Sequence, residues 1–183
     1  MNIPALVAQS GLILIFDPAQ TDLDKGKKLR DGLSVVVQIG ETLWLANDET
    51  ASLERLIRQP SAAGEPLVYA DHQTFSLADY VTLPHPATDL DGPGEADIEG
   101  LSYADGYLWL VGSHGRKRGR VKSTNSVKKN LRKLAAVVEE PNRWLLARIP
   151  VVDGADGLPT LARTTRDGQC AARLASTTAT QSA

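Results

Sequence analysis

Residues 95 to 118, EADIEGLSYADGYLWLVGSHGRKR, bring several carboxylates, a strand-like apolar run, a histidine and the first of a series of cations into one short segment. Asp97 and Glu99 flank Ile98. Residues two apart on an extended chain share a face, so this pair reads as two carboxylates side by side at the start of a strand. Asp31, ahead of Gly32-Leu33-Ser34, matches Glu99, ahead of Gly100-Leu101-Ser102, and adds a third acid at an equivalent place. Carboxylates converging in this way suit Ca²⁺, a hard cation that takes roughly six to eight oxygen ligands. An ion held there could polarise a lactone, an ester or a phosphate.

Further along, His114 and Glu49 lie on corresponding loops and form a candidate acid/base pair, while Arg116 and Arg118 could hold an anionic substrate. Ser113 is a poor nucleophile for its neighbour His114, because adjacent strand residues point to opposite sides. His72 and His85 show no metal-ligand spacing. Against the metal reading stands a structural one, in which Asp31 and Glu99 accept backbone hydrogen bonds beside turns. The structural role is the stronger of the two, since few carboxylates are at hand to complete a Ca²⁺ shell.

The elements that must position these residues are mostly strands. Short apolar or alternating runs punctuated by turn residues fall at Leu12 to Phe16, Leu33 to Ile39, Thr42 to Ala46, Pro66 to Ala70, Phe75 to Leu83, Ile98 to Tyr103, Tyr107 to Gly112 and Arg143 to Val151. Gly40-Glu41 and Asp105-Gly106 each separate two such runs and predict two-residue β-hairpins. The hairpins also resemble each other. The acid-Gly-Leu-Ser element at Asp31 to Ser34 recurs at Glu99 to Ser102, and the Leu-Trp-Leu run at Leu43 to Leu45 recurs at Leu108 to Leu110. Repeated antiparallel units in an all-β chain predict a partial β-propeller, with two full blades and parts of neighbours in 183 residues. Trp44 and Trp109 are then expected as anchors between blades.

One segment breaks the β pattern. Val127, Leu131, Leu134 and Val138 recur at helical spacing, which predicts an inserted amphipathic helix near 125–139 with its apolar stripe packed on the sheet. Thr124, Asn125 or Ser126 caps it and Pro141 stops it. Residues 1–158 are expected to form the propeller domain. Residues 159–183, poor in large apolar side chains, are expected to be a disordered tail.

Charge is close to balanced overall, at −2, yet nine cations and no acid lie between Arg116 and Lys133, so the rest of the chain carries −11. A solvated face is the favoured reading of that tract. Nucleic acid is an unfavoured partner, because no aromatics are interleaved and the rest of the chain would repel it. No apolar run approaches the roughly 20 residues of a membrane span, so no membrane partner is expected. The single cysteine, Cys170, allows no internal disulfide, and with no secretory leader in view a cytoplasmic protein is expected.

The segments TLWLANDETASLERL (42 to 56), EADIEGLSYADGYLWLVGSHGRKR (95 to 118) and NRWLLARIPVV (142 to 152) resemble, in this order, a bacterial family known as domain of unknown function thirty-six sixteen. The resemblance covers roughly residues 10 to 155. It implies a β-propeller distantly similar to esterase-like phytase and gluconolactonase-type propellers, in whose inner strands an acid before a glycine can be a calcium ligand. It also implies further blades, so the chain reads as a truncated member whose residues after about 158 are out of frame. The functional expectation is an uncharacterised propeller-family protein, incomplete and without demonstrable activity. The alternative is a calcium-dependent hydrolase of esters, lactones or phosphoesters.

Overall fold

The structure is a computed structural model and describes residues 11–23, 26–85 and 94–174. Its strands are β1 (Leu12–Leu14), β2 (Leu33–Ile39), β3 (Thr42–Asn47), β4 (Ser52–Arg58), β5 (Leu67–Ser76), β6 (Ile98–Ala104), β7 (Tyr107–Gly112), β8 (Lys117–Arg118), β9 (Val137–Val138), β10 (Leu146–Asp153), β11 (Pro159–Leu161) and β12 (Ala172–Arg173). Helix α1 (Val127–Ala135) lies between β8 and β9.

Both expected hairpins form. Gly40 at φ 56° opens one two-residue turn, and Asp105 and Gly106 at φ 52° and 77° make the other. Such positive values give a short turn the twist that its strands need. From each hairpin the chain builds an antiparallel meander. The first runs β2-β3-β4-β5, with β1 added parallel to β5. The second runs β6-β7-β10-β11, and β12 continues the outer position along β10. The result is an all-β, curled partial propeller of two five-stranded sheets, each a four-stranded meander with one added strand, and one inserted helix.

The two hairpins correspond in a single register. Leu33 pairs with Asn47 and Ile98 with Gly112, and each hairpin carries a bulge just after its first pair. With Leu33 matched to Ile98 and Asn47 to Gly112, the structural counterpart of Glu99 is Ser34 and that of Asp31 is Ala96. The acid-Gly-Leu-Ser likeness is therefore out of step with the hairpins themselves.

The core lies between the two sheets. Trp44, Leu53 and Phe75 from the first blade meet Ile98, Leu108, Leu110, Ala147 and Ile149 from the second. Leu43, Leu45, Leu56 and Tyr69 face the other side of the first blade, where Leu14 and Phe16 cover them. The two tryptophans therefore face differently. Trp44 is wholly buried and donates from Nε1 to Thr42 Oγ1 at 3.0 Å. Trp109 is half-buried and sits with Tyr107 under the Arg148 guanidinium, so it is no anchor between these two blades. The reason is alternation: Leu108 and Leu110 take the inner face of β7, and Trp109 takes the outer one.

Strand β4 lies outside the expected set, because SLERLIR carries two charges inside it. Both are buried and partnered. Arg55 donates to the Pro159 carbonyl at 2.7 Å and to Gln73 Oε1 at 2.8 Å, and its guanidinium lies over the Trp44 and Phe75 rings. The run read from Pro66 extends through β5 to Ser76, with Asp71 at φ 52° taking up the irregularity, while the run read from Phe75 to Leu83 leaves the strand there for a 3-10 turn at Leu77–Asp79.

Two further expectations change. Helix α1 starts where predicted, with Ser126 accepting from the Lys129 amide, but it ends at Ala135 because Val137 and Val138 pair with β8. Its apolar stripe is exposed rather than packed on the sheet, because the helix packs on β8 and is held to its own arm by Asn130 and Lys133. Residues 159–174, placed in a disordered tail by composition, pair with β10 through β11 and β12; residues 175–183 lie outside the described residues. Leu161 enters the core and the carbonyl of Pro159 takes the buried arginine, two contacts that composition cannot reveal. Replacing Leu161 by alanine is expected to lower unfolding stability by about 2 kcal/mol, measured by urea denaturation; an unchanged midpoint would show that β11 adds nothing to the fold.

Candidate functional site

Where β3 and β7 leave their sheets, the chain turns through Asn47-Asp48-Glu49 and Gly112-Ser113-His114, counterparts in the shared register of the hairpins. Asn47 is buried; its Nδ2 donates to the Leu29 carbonyl, and its Oδ1 accepts the Glu49 amide at 2.7 Å. At Gly112 a Cβ would lie 2.8 Å from the Ala96 carbonyl oxygen and nearer still to that of Arg143, so only glycine lets the 3-10 turn Pro141–Trp144 close against β7. That approach delivers Arg143 to the site.

A chain of alternating charges then crosses this face. Glu49 meets Lys27, Lys27 lies 3.5 Å from Glu95, Glu95 accepts from Lys117 at 2.6 Å, and Lys117 reaches Glu140 at 3.2 Å. Glu140 is 3.6 Å from Arg143, whose other nitrogen meets Asp97. Arg143 also donates from Nε to Ser113 Oγ at 3.2 Å, and that oxygen accepts the Gly115 amide at 3.3 Å. Asp97 is buried, and the Arg143 guanidinium beside it gives its carboxylate a partner there.

The proposed site residues are thus dispersed. Glu49 and Asp97 stand at opposite ends of the ion chain. Asp97 and Glu99 do not share a face, because Asp97 has φ 48° and a bulge follows at Ile98 to Gly100, so Asp97 turns inward while Glu99 is exposed. Asp31 is exposed and its nearest cation is Arg30, 3.6 Å away. His114 is exposed at φ 52°. The Glu49 carboxylate contacts Lys27, and no bond to His114 is present among the described residues. Arg116 pairs with Glu139 at 3.5 Å, and Arg118 donates to the Leu134 carbonyl at 2.7 Å, so both brace the insertion. Among the described residues no three His, Cys, Asp or Glu side chains cluster as a metal site.

Burial alone would raise the Glu95 carboxyl, but the hydrogen bond and charge of Lys117, with Lys27 behind it, outweigh that and hold it below the ordinary carboxylate range. For Lys117 burial works downward, and the bonds and charges of Glu95 and Glu140 override it and raise the ammonium. Glu95, Lys117, Glu140 and Arg143 escape a reading of the sequence because their partners are far apart along the chain and no local spacing marks them.

A second polar cluster lies inside the first blade. Ser52 and Glu54 on β4 face His72 and Thr74 on β5, so all four side chains meet on one face. His72 Nδ1 accepts the Asp17 amide at 3.2 Å, which leaves the proton on Nε2 for Glu54 Oε2 at 2.8 Å. Thr74 and Ser52 donate to the same carboxylate at 2.6 and 2.7 Å. Both hydroxyls point at Glu54 and none at the imidazole, so no nucleophile is activated. With the His72 and Glu54 side chains 0% and 1% exposed, the cluster fastens the segment around Asp17 onto β5. Its sequence signal is two polar pairs at i, i+2 within apolar strands.

The Glu95–Lys117 pair carries a pH signature. A carboxylate held low in the fold stabilises above its ordinary value of 4.5 and ceases to do so as pH falls through the depressed folded value. Its raised partner contributes fully below 10.5 and loses its effect as pH rises through the elevated folded value. Glu95→Gln is expected to cost about 1 kcal/mol at neutral pH, after allowing for the water that still reaches the pair. The deficit should vanish at acid pH, as read from urea melts across the range; a deficit constant with pH would assign Glu95 a purely steric role.

No curated protein and no solved structure matches this chain. A family model does, over residues 32–183, taking in both blades, the insertion and the stretch after residue 158 that the resemblance read from sequence leaves out. The chain therefore belongs to the family described as Protein of unknown function (DUF3616).

Proposed function

We propose that this domain is a non-catalytic propeller scaffold, whose loop-face carboxylates serve as internal ion-pair partners rather than as metal ligands or acid/base groups. The observation that carries this reading is the occupation of those acids: Glu49, Glu95, Asp97 and Glu140 each face a lysine or an arginine. A calcium ion at this face would have to displace Lys27, Lys117 or Arg143, leaving a cation without its counter-charge at a partly dehydrated site. It would then find carboxylates strung along a line instead of converging on a point. The recess beside Glu95 and Glu140 holds about 120 Å³, short of the roughly 300 Å³ at which organic-ligand pockets begin; the wider one beside Glu49, about 360 Å³, is lined among the described residues by Asp22, Leu23, Thr50 and Ser52 and by none of the other proposed site residues.

A calcium-dependent hydrolase of esters, lactones or phosphoesters is the competing activity, with Asp31, Asp97 and Glu99 as ligands and His114 with Glu49 as acid and base. It requires these residues to gather from unlike environments, Asp97 being buried, Glu49 half-buried and the other three exposed. Calcium titration decides between the two. At millimolar Ca²⁺ the thermal midpoint is expected to stay unchanged and p-nitrophenyl ester and phosphate hydrolysis to stay at background. Saturation a hundredfold above Kd would add about 2.7 kcal/mol, a rise of several degrees, and that rise together with calcium-dependent hydrolysis would replace the scaffold reading by the enzymatic one.

A further inference from the structure

The insertion between β7 and β10 is held together by its own polar contacts. Asn130 Oδ1 accepts from the Lys122 amide at 3.2 Å and from Asn125 Nδ2 at 3.1 Å, while its Nδ2 donates to the Lys122 carbonyl at 2.9 Å. Lys133 reaches the Arg120 carbonyl at 3.5 Å, and its own carbonyl accepts the Gly119 amide at 3.2 Å. These bonds fix which side of α1 faces inward: the side of Asn130 and Lys133, the helix's two half-buried residues.

What remains points outward and is of two kinds. Val127, Leu131 and Leu134, at i, i+4 and i+7, form one stripe and are 76%, 61% and 44% exposed. Lys128, Lys129 and Arg132 take the flank and back of the helix, and all three are exposed. Arg120 and Lys122 add two more exposed cations on the neighbouring arm. Among the described residues none of these five has an acidic partner, although Arg116 and Lys117 at the root of the insertion do. No acid lies anywhere between Arg116 and Lys133. A short helix with an uncovered leucine stripe and a wholly cationic polar side matches the layout of helices that lie in a membrane interface.

We propose that α1 and its arm form a peripheral docking surface for an anionic lipid bilayer, with Val127, Leu131 and Leu134 entering the headgroup boundary and Arg120, Lys122, Lys128, Lys129 and Arg132 meeting the lipid charge. Charge complementarity selects a polyanion, since these five cations, without acidic partners among the described residues, gather on an arm whose sequence carries no acid. The apolar stripe then selects lipid over nucleic acid, because a phosphate backbone gives exposed leucines nothing to enter, whereas a bilayer interface does. No helix among the described residues is long and apolar enough to cross a membrane, and a peripheral contact requires none.

The test is co-sedimentation of the full chain with phosphatidylcholine vesicles, with and without about one-third phosphatidylserine. Binding is expected to the mixed vesicles only and to weaken as salt rises. Leu131→Glu, at a position outside the core, is expected to lower partitioning at least about tenfold with an unchanged circular dichroism spectrum, and a Lys128→Gln/Arg132→Gln double variant to lower it several-fold. Absence of binding to phosphatidylserine vesicles would overturn the proposal. Unchanged binding by Leu131→Glu would do so as well, because the contact would then be purely electrostatic, as would equal binding by soluble poly-glutamate or an oligonucleotide that Leu131→Glu leaves untouched.

Discussion

The close packing of the first blade's tryptophan face against the second blade's leucine face is the contact on which the other features depend. Trp44, Leu53 and Phe75 fill one side and Ile98, Leu108, Leu110 and Ile149 the other. Each wholly buried large side chain of this kind contributes about 1.5–3 kcal/mol. Period-two alternation then dictates the outward residues: with Trp44 inward, Leu43 and Leu45 face away and need the cover of Leu14 and Phe16. With Leu108 and Leu110 inward, Trp109 faces away and takes Arg148. A polar contact also crosses this joint, where Ser34 donates to the Ile98 carbonyl at 2.6 Å between the two inner strands.

The joint also accounts for the loop-face charges. Holding β2 beside β6 brings the ends of β3 and β7 close enough for Lys27, Glu95 and Lys117 to meet. Ion pairs at such a place return little if each stands alone in water, and more when several share partners. Lys117 serves both Glu95 and Glu140, and Arg143 serves both Glu140 and Asp97. Asp97 gains most, since it alone in the chain of charges is buried. Its carboxylate is tolerable because Arg143 is already held by Ser113, and a prepositioned guanidinium loses less freedom in pairing than a free one.

Local features are legible in the sequence and long-range ones are not. Two-residue turns, Ser126 as a cap and the strands on either side of Asp105-Gly106 follow from a few neighbouring residues. The match of Asp31 to Glu99 fails because a short acid-Gly-Leu-Ser likeness competes with the alignment of the whole hairpin, and only cross-strand register separates the two. Asp97 and Glu99 do not share a face because alternation breaks at a residue that adopts φ 48°. β4 is hidden by Glu54 and Arg55, whose burial depends on His72, Gln73 and Pro159, residues that spacing alone does not bring near. The same long-range contact, Arg55 to Pro159, is why composition misjudges the stretch after 158.

The exposed stripe on α1 has a different origin from the outward placing of Trp109. In the blades, a side chain left outside follows from alternation, since a strand must turn half of its residues away from the core. A helix is under no such constraint: with an apolar stripe and a neighbouring sheet, it can rotate until the stripe is covered. α1 instead turns Asn130 and Lys133 inward and is held there by hydrogen bonds to its own arm, with Arg118 bonded to its last turn. Those bonds cannot be kept if the helix rolls to bury Leu131. The sequence therefore specifies the outward orientation of the stripe through Asn130. Closing a long insertion between β7 and β10 adds little to the cost, since loop entropy grows only by about 0.6 kcal/mol per doubling of length. The blade can carry this arm, whatever it docks to, without altering the packing on which the fold stands.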